Sequence, residues 1–478
     1  MDLTQNEVVL REERNPLGYK PIGKLLIAFS VPSIISMLVN SVYNIVDQIF
    51  IGQGVGVLGN AATTIAFPVV TIMLAVSTML GSGGCAFASL KLGEGNKDAV
   101  GRTLNNLLIL SLISGVVMAV LGLLFLDPML RVFGAKDTVL PYAGDYTSII
   151  LIGAPFSVLS VTLSNMARAD GSPQMSMYGI IIGAVLNTIL DPIYIFIFHW
   201  GVKGAAIATI TSQFISCVVL VLYFKGYGKH MRFDRSLMKL DGPVCGKVCS
   251  LGVSSGITQG VACIMQVVMN NSLKYYGDLS PVGGETAQAA LGIVMKIVMI
   301  LGSVGIGIGV GSQAILGFNR GAGQLHRVKK TYLMAMIAAT IVITAGWAMC
   351  QFFPGPILSI FGSNDAGFTS FGIRCMKIYL FGLFCAGFQM ASTCYFQATG
   401  QPLKASLLSM LRQLLLLIPL ILILPLFFGL DGILYAGPVA DISSGIIVAL
   451  FIVPEMRKLG QKIAQEDSEC LEQGKTAM

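Results

Sequence analysis

The chain has 478 residues, of which 54% are hydrophobic and 12% are charged. This composition excludes a water-soluble globular protein of this length, because such proteins are about 25% charged. The formal net charge of +7 comes from basic residues dispersed among loops without interleaved aromatic residues, which argues against nucleic-acid binding. We therefore predict a protein whose main partner is membrane lipid.

Twelve apolar segments are each long enough to cross a bilayer as a helix, which takes about 20 residues. They lie near 24–50, 57–82, 103–126, 141–165, 174–198, 204–224, 247–273, 286–312, 331–353, 372–395, 403–428 and 433–454. The tails and loops on one side of these segments carry most of the Lys and Arg residues, and the positive-inside rule makes that side cytoplasmic. We predict an all-α, multi-pass protein of the cell (inner) membrane with both termini in the cytoplasm.

The two halves of the chain resemble each other at an offset of about 228 residues. The matching landmarks are 92–95 with 320–323, 169–173 with 398–402, Gly201 with Gly429, and Gly204 with Gly432. Because six spans separate the copies, the repeats have the same orientation, which predicts two pseudo-symmetric six-helix lobes around a central cleft. One chain then supplies the whole cleft, so we expect a monomer.

The predicted organisation follows from these spans. It consists of a cytoplasmic N-terminal tail (1–23), an N-lobe (24–224), a cytoplasmic inter-lobe linker (225–246), a C-lobe (247–456) and a cytoplasmic C-terminal tail (457–478). The ten cysteines are scattered without a CxxC or Cys/His cluster. We therefore expect free thiols and no bound metal cofactor.

Carboxylates inside predicted spans are functional candidates, because an ionised side chain at the bilayer centre costs about 2.5 to 3.5 kcal/mol. Asp191 lies in the fifth span, one helical turn after Asn187, and Pro192 cannot donate to the carbonyl of Thr188. An amide, a carboxylate and a freed carbonyl predict a cation site. The alternative is that Asp191 only caps the broken helix or ends the span.

Asp47 near the end of the first span is a second candidate, with a solvated helix-end carboxylate as the alternative. Thr209 in the sixth span could add a hydroxyl ligand, although Thr is also common in membrane helices for packing. In the second half Gln266, Asn270 and Lys296 are candidates for the substrate cleft. Lys296 either faces that cleft or pairs with a backbone carbonyl.

Arg412 and Asp441 lie on consecutive spans at depths that differ by on the order of 10 Å, within reach of a long Arg side chain. We interpret them as a structural ion pair. Ion chemistry is therefore expected in the first lobe only.

Two motifs resemble the multidrug and toxic compound extrusion (MATE) family, especially its MepA-like and DinF-like branches, over residues 24–456. The first runs from Tyr43 to Asp47 and continues with Phe50-Ile51-Gly52. The second contains Leu186-Asn187 and Leu190-Asp191-Pro192, followed by Gly201 and Gly204.

The resemblance implies a secondary antiporter that exports small cationic, amphipathic drugs or dyes by alternating access, with H⁺ or Na⁺ as the coupling ion and no cofactor. Asp47, Asn187, Asp191 and Thr209 match its ion-coupling site, and Tyr43 belongs to its cleft. Burial and mutual repulsion of the carboxylates would favour retention of one proton. Neither the ion nor the substrate range follows from the residues, and ion and drug could compete directly or through bending of the first span.

Two other functions are less well supported. A flippase for lipid-linked oligosaccharides needs a cationic cleft for pyrophosphate, and only Lys296 and Arg412 qualify. A membrane-embedded enzyme needs a catalytic constellation, yet no HExxH motif occurs and the three His residues, His199, His230 and His326, fall in predicted loops. We therefore expect a transporter rather than an enzyme.

Overall fold

The computed structural model describes residues 15–359 and 366–476, so residues 1–14 of the predicted N-terminal tail lie outside the described part. Within it, ten helices are long and apolar enough to cross a membrane, and two further spans each consist of two helices that meet at a bend. In chain order the spans are α1 (Ile22–Val55), α2 (Val57–Gly93), α3 (Lys97–Leu124), α4 (Leu140–Ile152 and Ala154–Ala169), α5 (Pro173–Pro192), α6 (Gly201–Leu222), α7 (Gly242–Asp278), α8 (Gly284–Gly321), α9 (Leu325–Phe352), α10 (Ala366–Tyr379 and Ala386–Ala398), α11 (Pro402–Met410, continued by Leu411–Leu417 and Ile418–Ile423) and α12 (Leu430–Thr476). The predicted all-α, multi-span fold is confirmed.

Local sequence explains where these helices begin and which face meets lipid. The Asn96 side chain caps α3 by accepting from the Ala99 N–H, and Asp241 caps α7 by accepting from the Val244 N–H. One face of α3 exposes aliphatic side chains such as Val117, Val120 and Leu124. Lipid is the solvent in which such a face is stable.

The duplication is visible in the backbone. Glycines with positive φ occur in pairs separated by 227 to 229 residues, namely Gly56 with Gly283, Gly95 with Gly323, Gly171 with Gly400, and Gly201 with Gly429. A backbone in this region strongly favours glycine, because a Cβ would clash. Equivalent loops of the two lobes therefore share one conformation.

The two bent spans also correspond to each other. The halves of α4 meet at 52° beside Gly153, and the halves of α10 meet at 44° beside Gly382. A Cβ on Gly153 would lie 2.3 Å from Ile210 of α6, and one on Gly382 would lie 2.6 Å from Asp441 of α12. Each bend therefore brings the fourth span of its lobe into close contact with the sixth.

Each lobe contains buried aliphatic residues, and the N-lobe cluster continues into the C-lobe through Val248 and Ile315. In the N-lobe Leu104, Leu163 and Leu220 are fully buried, and in the C-lobe Ile343, Ile421 and Leu434 are fully buried. Burying a large aliphatic side chain stabilises a fold by about 1.5 to 3 kcal/mol where water is the alternative, but inside a bilayer close packing takes over that role.

The connection between the lobes is shorter than the predicted 225–246. A π-helical turn, Tyr223–Tyr227, extends α6, and α7 begins at Gly242. Asp170, in the loop between α4 and α5, accepts hydrogen bonds from the Tyr223 hydroxyl (2.6 Å) and from the backbone N–H groups of Lys229, His230 and Met231 (2.8, 2.7 and 2.9 Å). This buried carboxylate holds the start of the connection against the N-lobe.

We call the face of the bundle that carries this connection the linker side and the opposite face the cleft side. On the linker side α2 packs against α7, and α1 packs against α8. A Cβ on Gly252 would lie 1.8 Å from the Met79 carbonyl oxygen, and one on Gly83 would lie 2.1 Å from the Val248 carbonyl oxygen. Only glycine allows this approach, so the lobes are closed against each other on the linker side.

The second seam closes in the same way. A Cβ on Gly311 would lie 2.7 Å from Cα of Ser30, and one on Gly307 would lie 2.7 Å from Cα of Ile34. Further toward the cleft side, the Ser41 and Ser303 hydroxyls are hydrogen-bonded at 2.7 Å. Beyond this bond the residues that continue the same helix faces are exposed, including Asn44 and Gln48 of α1. The helices therefore diverge, and a cleft opens between the lobes.

Candidate ion-coupling site and central cleft

The structure brings together all four residues predicted for ion coupling. Asp47 comes from α1, Asn187 and Asp191 from α5, and Thr209 from α6, and these three helices pack against one another. The Asn187 amide donates to Asp191 Oδ1 and to Thr209 Oγ1, both at 3.3 Å. The carboxyl groups of Asp47 and Asp191 lie within hydrogen-bonding reach of each other.

This cluster is buried and incompletely satisfied. Asp191 is fully buried and Asp47 is 8% exposed. Three of its oxygens lack a hydrogen-bond partner among the described residues: Asp47 Oδ1, Asn187 Oδ1 and Asp191 Oδ2. Two neighbouring carboxylates cannot both carry charge in such a site without a large cost. The unpartnered oxygens fit a proton on one carboxyl or a small hard cation such as Na⁺, which prefers oxygen ligands.

The backbone around Asp191 departs from a regular helix. The α-helix of α5 ends at Pro192, and the chain continues as a π-helical turn, Ile193–Ile197. Proline lacks the N–H that a continuing α-helix needs, and π turns are frequent at functional sites. The turn packs tightly on α1, because a Cβ on Gly54 would lie 2.1 Å from the Ile195 side chain. This contact holds the end of α1 that follows Asp47 against the lobe.

Two tyrosines complete the cluster. Tyr43, predicted for the cleft, lies one turn before Asp47, and its hydroxyl is close enough to Thr209 to interact with it. Tyr146 of α4 is close enough to interact electrostatically with both carboxylates. Sequence reasoning missed Tyr146, because nothing distinguishes it from other tyrosines until the bend of α4 brings it to α1. The structure therefore places Tyr43 beside the candidate ion-coupling site.

The residues predicted for the second-lobe wall of the cleft are found on α7 and α8. Gln266 donates to Asn270 Oδ1 at 3.3 Å, and Gln288 donates to the Asn270 carbonyl at 2.8 Å, which ties α7 to α8. Asn270 and Lys296 are exposed, and Gln266 is half-buried. They continue the faces that meet the N-lobe on the linker side.

Arg412 and Asp441 form an ion pair, with the Arg412 Nε donating to Asp441 Oδ1. The Asp441 side chain is 3% exposed, and its backbone carbonyl accepts from the Gln389 amide at 2.8 Å. This pair joins α11 to α12. Because the Arg412 guanidinium is paired with Asp441, it is not free to bind a pyrophosphate. Of the two basic residues that a pyrophosphate site could have used, only Lys296 stays unpaired in the described part of the chain.

Comparisons with known proteins give the family. A sequence model of the MatE family matches residues 32–193 and 261–423, one segment in each lobe. The multidrug export protein MepA of Staphylococcus haemolyticus is 26% identical over 444 residues, covering 91% of this chain and 94% of that protein.

Two solved structures have nearly the same fold. The MATE multidrug transporter DinF-BH superposes with a TM-score of 0.84 at 33% identity, covering 92% of this chain and 97% of that one. A MATE transporter in an outward-facing conformation has a TM-score of 0.86 at 23% identity, covering 96% of this chain and 100% of that one. The predicted resemblance is confirmed, and the chain belongs to the MatE family of multidrug export transporters.

Proposed function

We propose that this chain is an antiporter of the cell membrane that exports small amphipathic organic compounds, cationic ones among them, in exchange for H⁺ or Na⁺. The observation that carries the proposal is the buried pair Asp47 and Asp191, with three unpartnered oxygens around it among the described residues. Buried oxygen atoms in proteins normally have a partner, and a bound coupling ion would supply the partner that these three oxygens lack.

The geometry supports a route from ion to substrate through α1. Asp47 faces α5 inside the N-lobe, whereas its neighbours Asn44 and Gln48 are exposed on the face that lines the cleft. Ion binding on one face of this helix therefore changes the position of the other face. Pro32 interrupts the backbone hydrogen bonds of α1, which makes the helix able to bend. We favour this indirect coupling over direct competition for the carboxylates.

The proposed orientation of the cleft combines the predicted topology with the face of the bundle that is open. With both termini in the cytoplasm, the linker side is cytoplasmic and the cleft faces outward. The release of drug and the binding of the coupling ion then both occur in the conformation described here. Closure of the cleft and opening of the glycine-lined seams would complete the alternating-access cycle.

Ethidium efflux from drug-sensitive cells, and its uptake into everted vesicles under imposed proton or sodium gradients, tests the proposal. We expect Asp47→Asn and Asp191→Asn to lower gradient-driven transport at least tenfold at matched expression, because each removes a carboxylate needed for ion binding. Asp137→Asn is the matched control, since its side chain is 87% exposed in a loop. Gradient-driven transport that survives in both variants would place the coupling ion elsewhere.

A further inference from the structure

A charged side chain on α8 points to a determinant of substrate charge. The seam faces can be followed residue by residue beyond the point where the lobes separate. On α8 the face that meets α1 contains Gly311, Gly307 and Ser303. Steps of three and four residues continue this face toward the cleft side through Met299 and Lys296 to Gly292. Lys296 therefore faces the opposite lobe and the cleft, not lipid.

The exposure of these residues supports this placement. Lys296 and Gly292 are exposed, and a Cβ on Gly292 would meet no atom within 4 Å. The opposite face of α8 carries Ala287, Ala290 and Val294, which are buried in the C-lobe core. Lys296 lies seven residues from Ser303, or about 10 Å above the floor of the cleft.

Lys296 has no counter-ion in the part of the chain that the structure describes. Within residues 15–359 and 366–476 it forms neither an ion pair nor a hydrogen bond. Glu285 on the same helix is eleven residues away, roughly 16 Å nearer the mouth. Asp47 and Asp191 are buried inside the N-lobe. An ammonium at this depth is costly unless water or a ligand anion faces it.

Neutral residues of α2 and α7 continue the seam faces into the cleft beside Lys296. The seam between α2 and α7 extends to Thr71, which lies close to Cys263. Past this contact the same face of α2 exposes Phe67 and Thr64, and that of α7 exposes Asn270. Phe67 is 50% exposed and offers an aromatic surface on the lobe opposite Lys296. The deep cleft thus combines the aromatic ring of Phe67, the hydroxyl of Thr64, the amide of Asn270 and the ammonium of Lys296.

We infer that Lys296 is a specificity-determining residue that binds an anionic group of the substrate, so that the exporter prefers amphipathic aromatic compounds that carry a carboxylate over otherwise identical compounds that lack one. The carboxylate pairs with the Lys296 ammonium, and the aromatic part packs against Phe67. The inference rests on the proposed export function for its biological meaning. The binding preference can be measured without any gradient.

The test uses two probes that differ in one group: a rhodamine with a free benzoate carboxylate and the ethyl ester of the same rhodamine. Fluorescence anisotropy titrations with the purified full-length protein in detergent give a Kd for each dye. We expect Lys296→Met to weaken binding of the free acid about tenfold and to change the Kd of the ester less than about twofold. Lys296→Arg keeps the charge and should restore binding of the acid. Lys274→Met, near the cleft-side end of α7, is the control.

Three results would overturn the inference: an unchanged Kd for the acid in Lys296→Met, an equal loss for both dyes, or no binding of either dye by the wild-type protein. The ester also separates this inference from the proposed function. Gradient-driven transport of the ester depends on Asp47 and Asp191 and not on Lys296. Failure of ester transport in wild type therefore counts against the antiporter, whereas the ratio of the two Kd values decides the role of Lys296.

Discussion

The linker-side seam between α2 and α7 makes Gly252→Ala a sensitive perturbation of the conformational cycle. The added Cβ would lie 1.8 Å from the Met79 carbonyl oxygen, a backbone atom that cannot rotate away. Because non-bonded carbon and oxygen atoms stay about 3 Å apart or more, the two helices must separate by about 1 Å. Overpacking of this kind costs about 1 to 3 kcal/mol.

That cost applies only to the conformation in which the lobes are closed on the linker side. If the seam opens during transport, the substitution shifts the equilibrium toward the open state by about 5- to 150-fold. Gly260→Ala is the matched control on the same helix, since a Cβ there would meet no atom within 4 Å. Both variants gain the same helix propensity, so the difference between them isolates the seam contact.

Alkylation of the native Cys249 reports the opening. This thiol lies one turn before Gly252 and is half-buried next to the N-lobe core. Mass spectrometry of the peptide measures its maleimide labelling rate without removal of the other cysteines. We expect faster labelling in Gly252→Ala than in wild type and an unchanged rate in Gly260→Ala. Equal rates in the two variants would show that the seam does not restrain the closed state.

Two further predictions concern residues that hold elements together within one lobe. Asp170→Ala removes an acceptor of four hydrogen bonds, so trypsin should cleave the linker at Lys229 or Arg232 at least fivefold faster than in wild type. The control is Asp234→Ala, which removes an exposed carboxylate and should change the cleavage rate little. Equal cleavage rates in the two variants would contradict the anchoring role of Asp170. Arg412→Met leaves Asp441 buried and unpaired, which should destabilise the protein by about 3 to 5 kcal/mol in thermal unfolding. Adding Asp441→Leu should recover most of that loss. A double variant as unstable as the single one would contradict the interpretation of these residues as an ion pair.

The spans and the duplication could be read from the sequence because they depend on local quantities. Apolar length decides whether a segment can cross a bilayer, and glycines with positive φ recur wherever a loop needs that conformation. Gly201 and Gly429 occupy equivalent positions in the two sequence repeats, and both have a positive φ in the structure. The bends of α4 and α10 were not predicted, because they depend on contacts between spans.

The candidate ion-coupling residues were also predictable, since a carboxylate is rare inside a membrane span and stands out by itself. Asp191 and Asn187 lie one turn apart on one helix, so their proximity follows from helical periodicity. Their approach to Asp47 and Thr209 depends on how α1, α5 and α6 pack, and the resemblance to a known family supplied that step in advance. Tyr146 gave no such signal.

The amino-acid sequence by itself determined that lipid surrounds the protein, how many segments can span the bilayer, that the two halves are repeats, and which charged residues lie within spans. Each of these follows from the residues of the segments themselves, without knowledge of how the segments pack. Only the tertiary structure decided which faces meet. It closed the seams with glycines on the linker side, opened a cleft beyond Ser41 and Ser303, and turned Lys296 toward that cleft. The direction in which a side chain points from a buried helix depends on the neighbouring helices, and no single span contains that information.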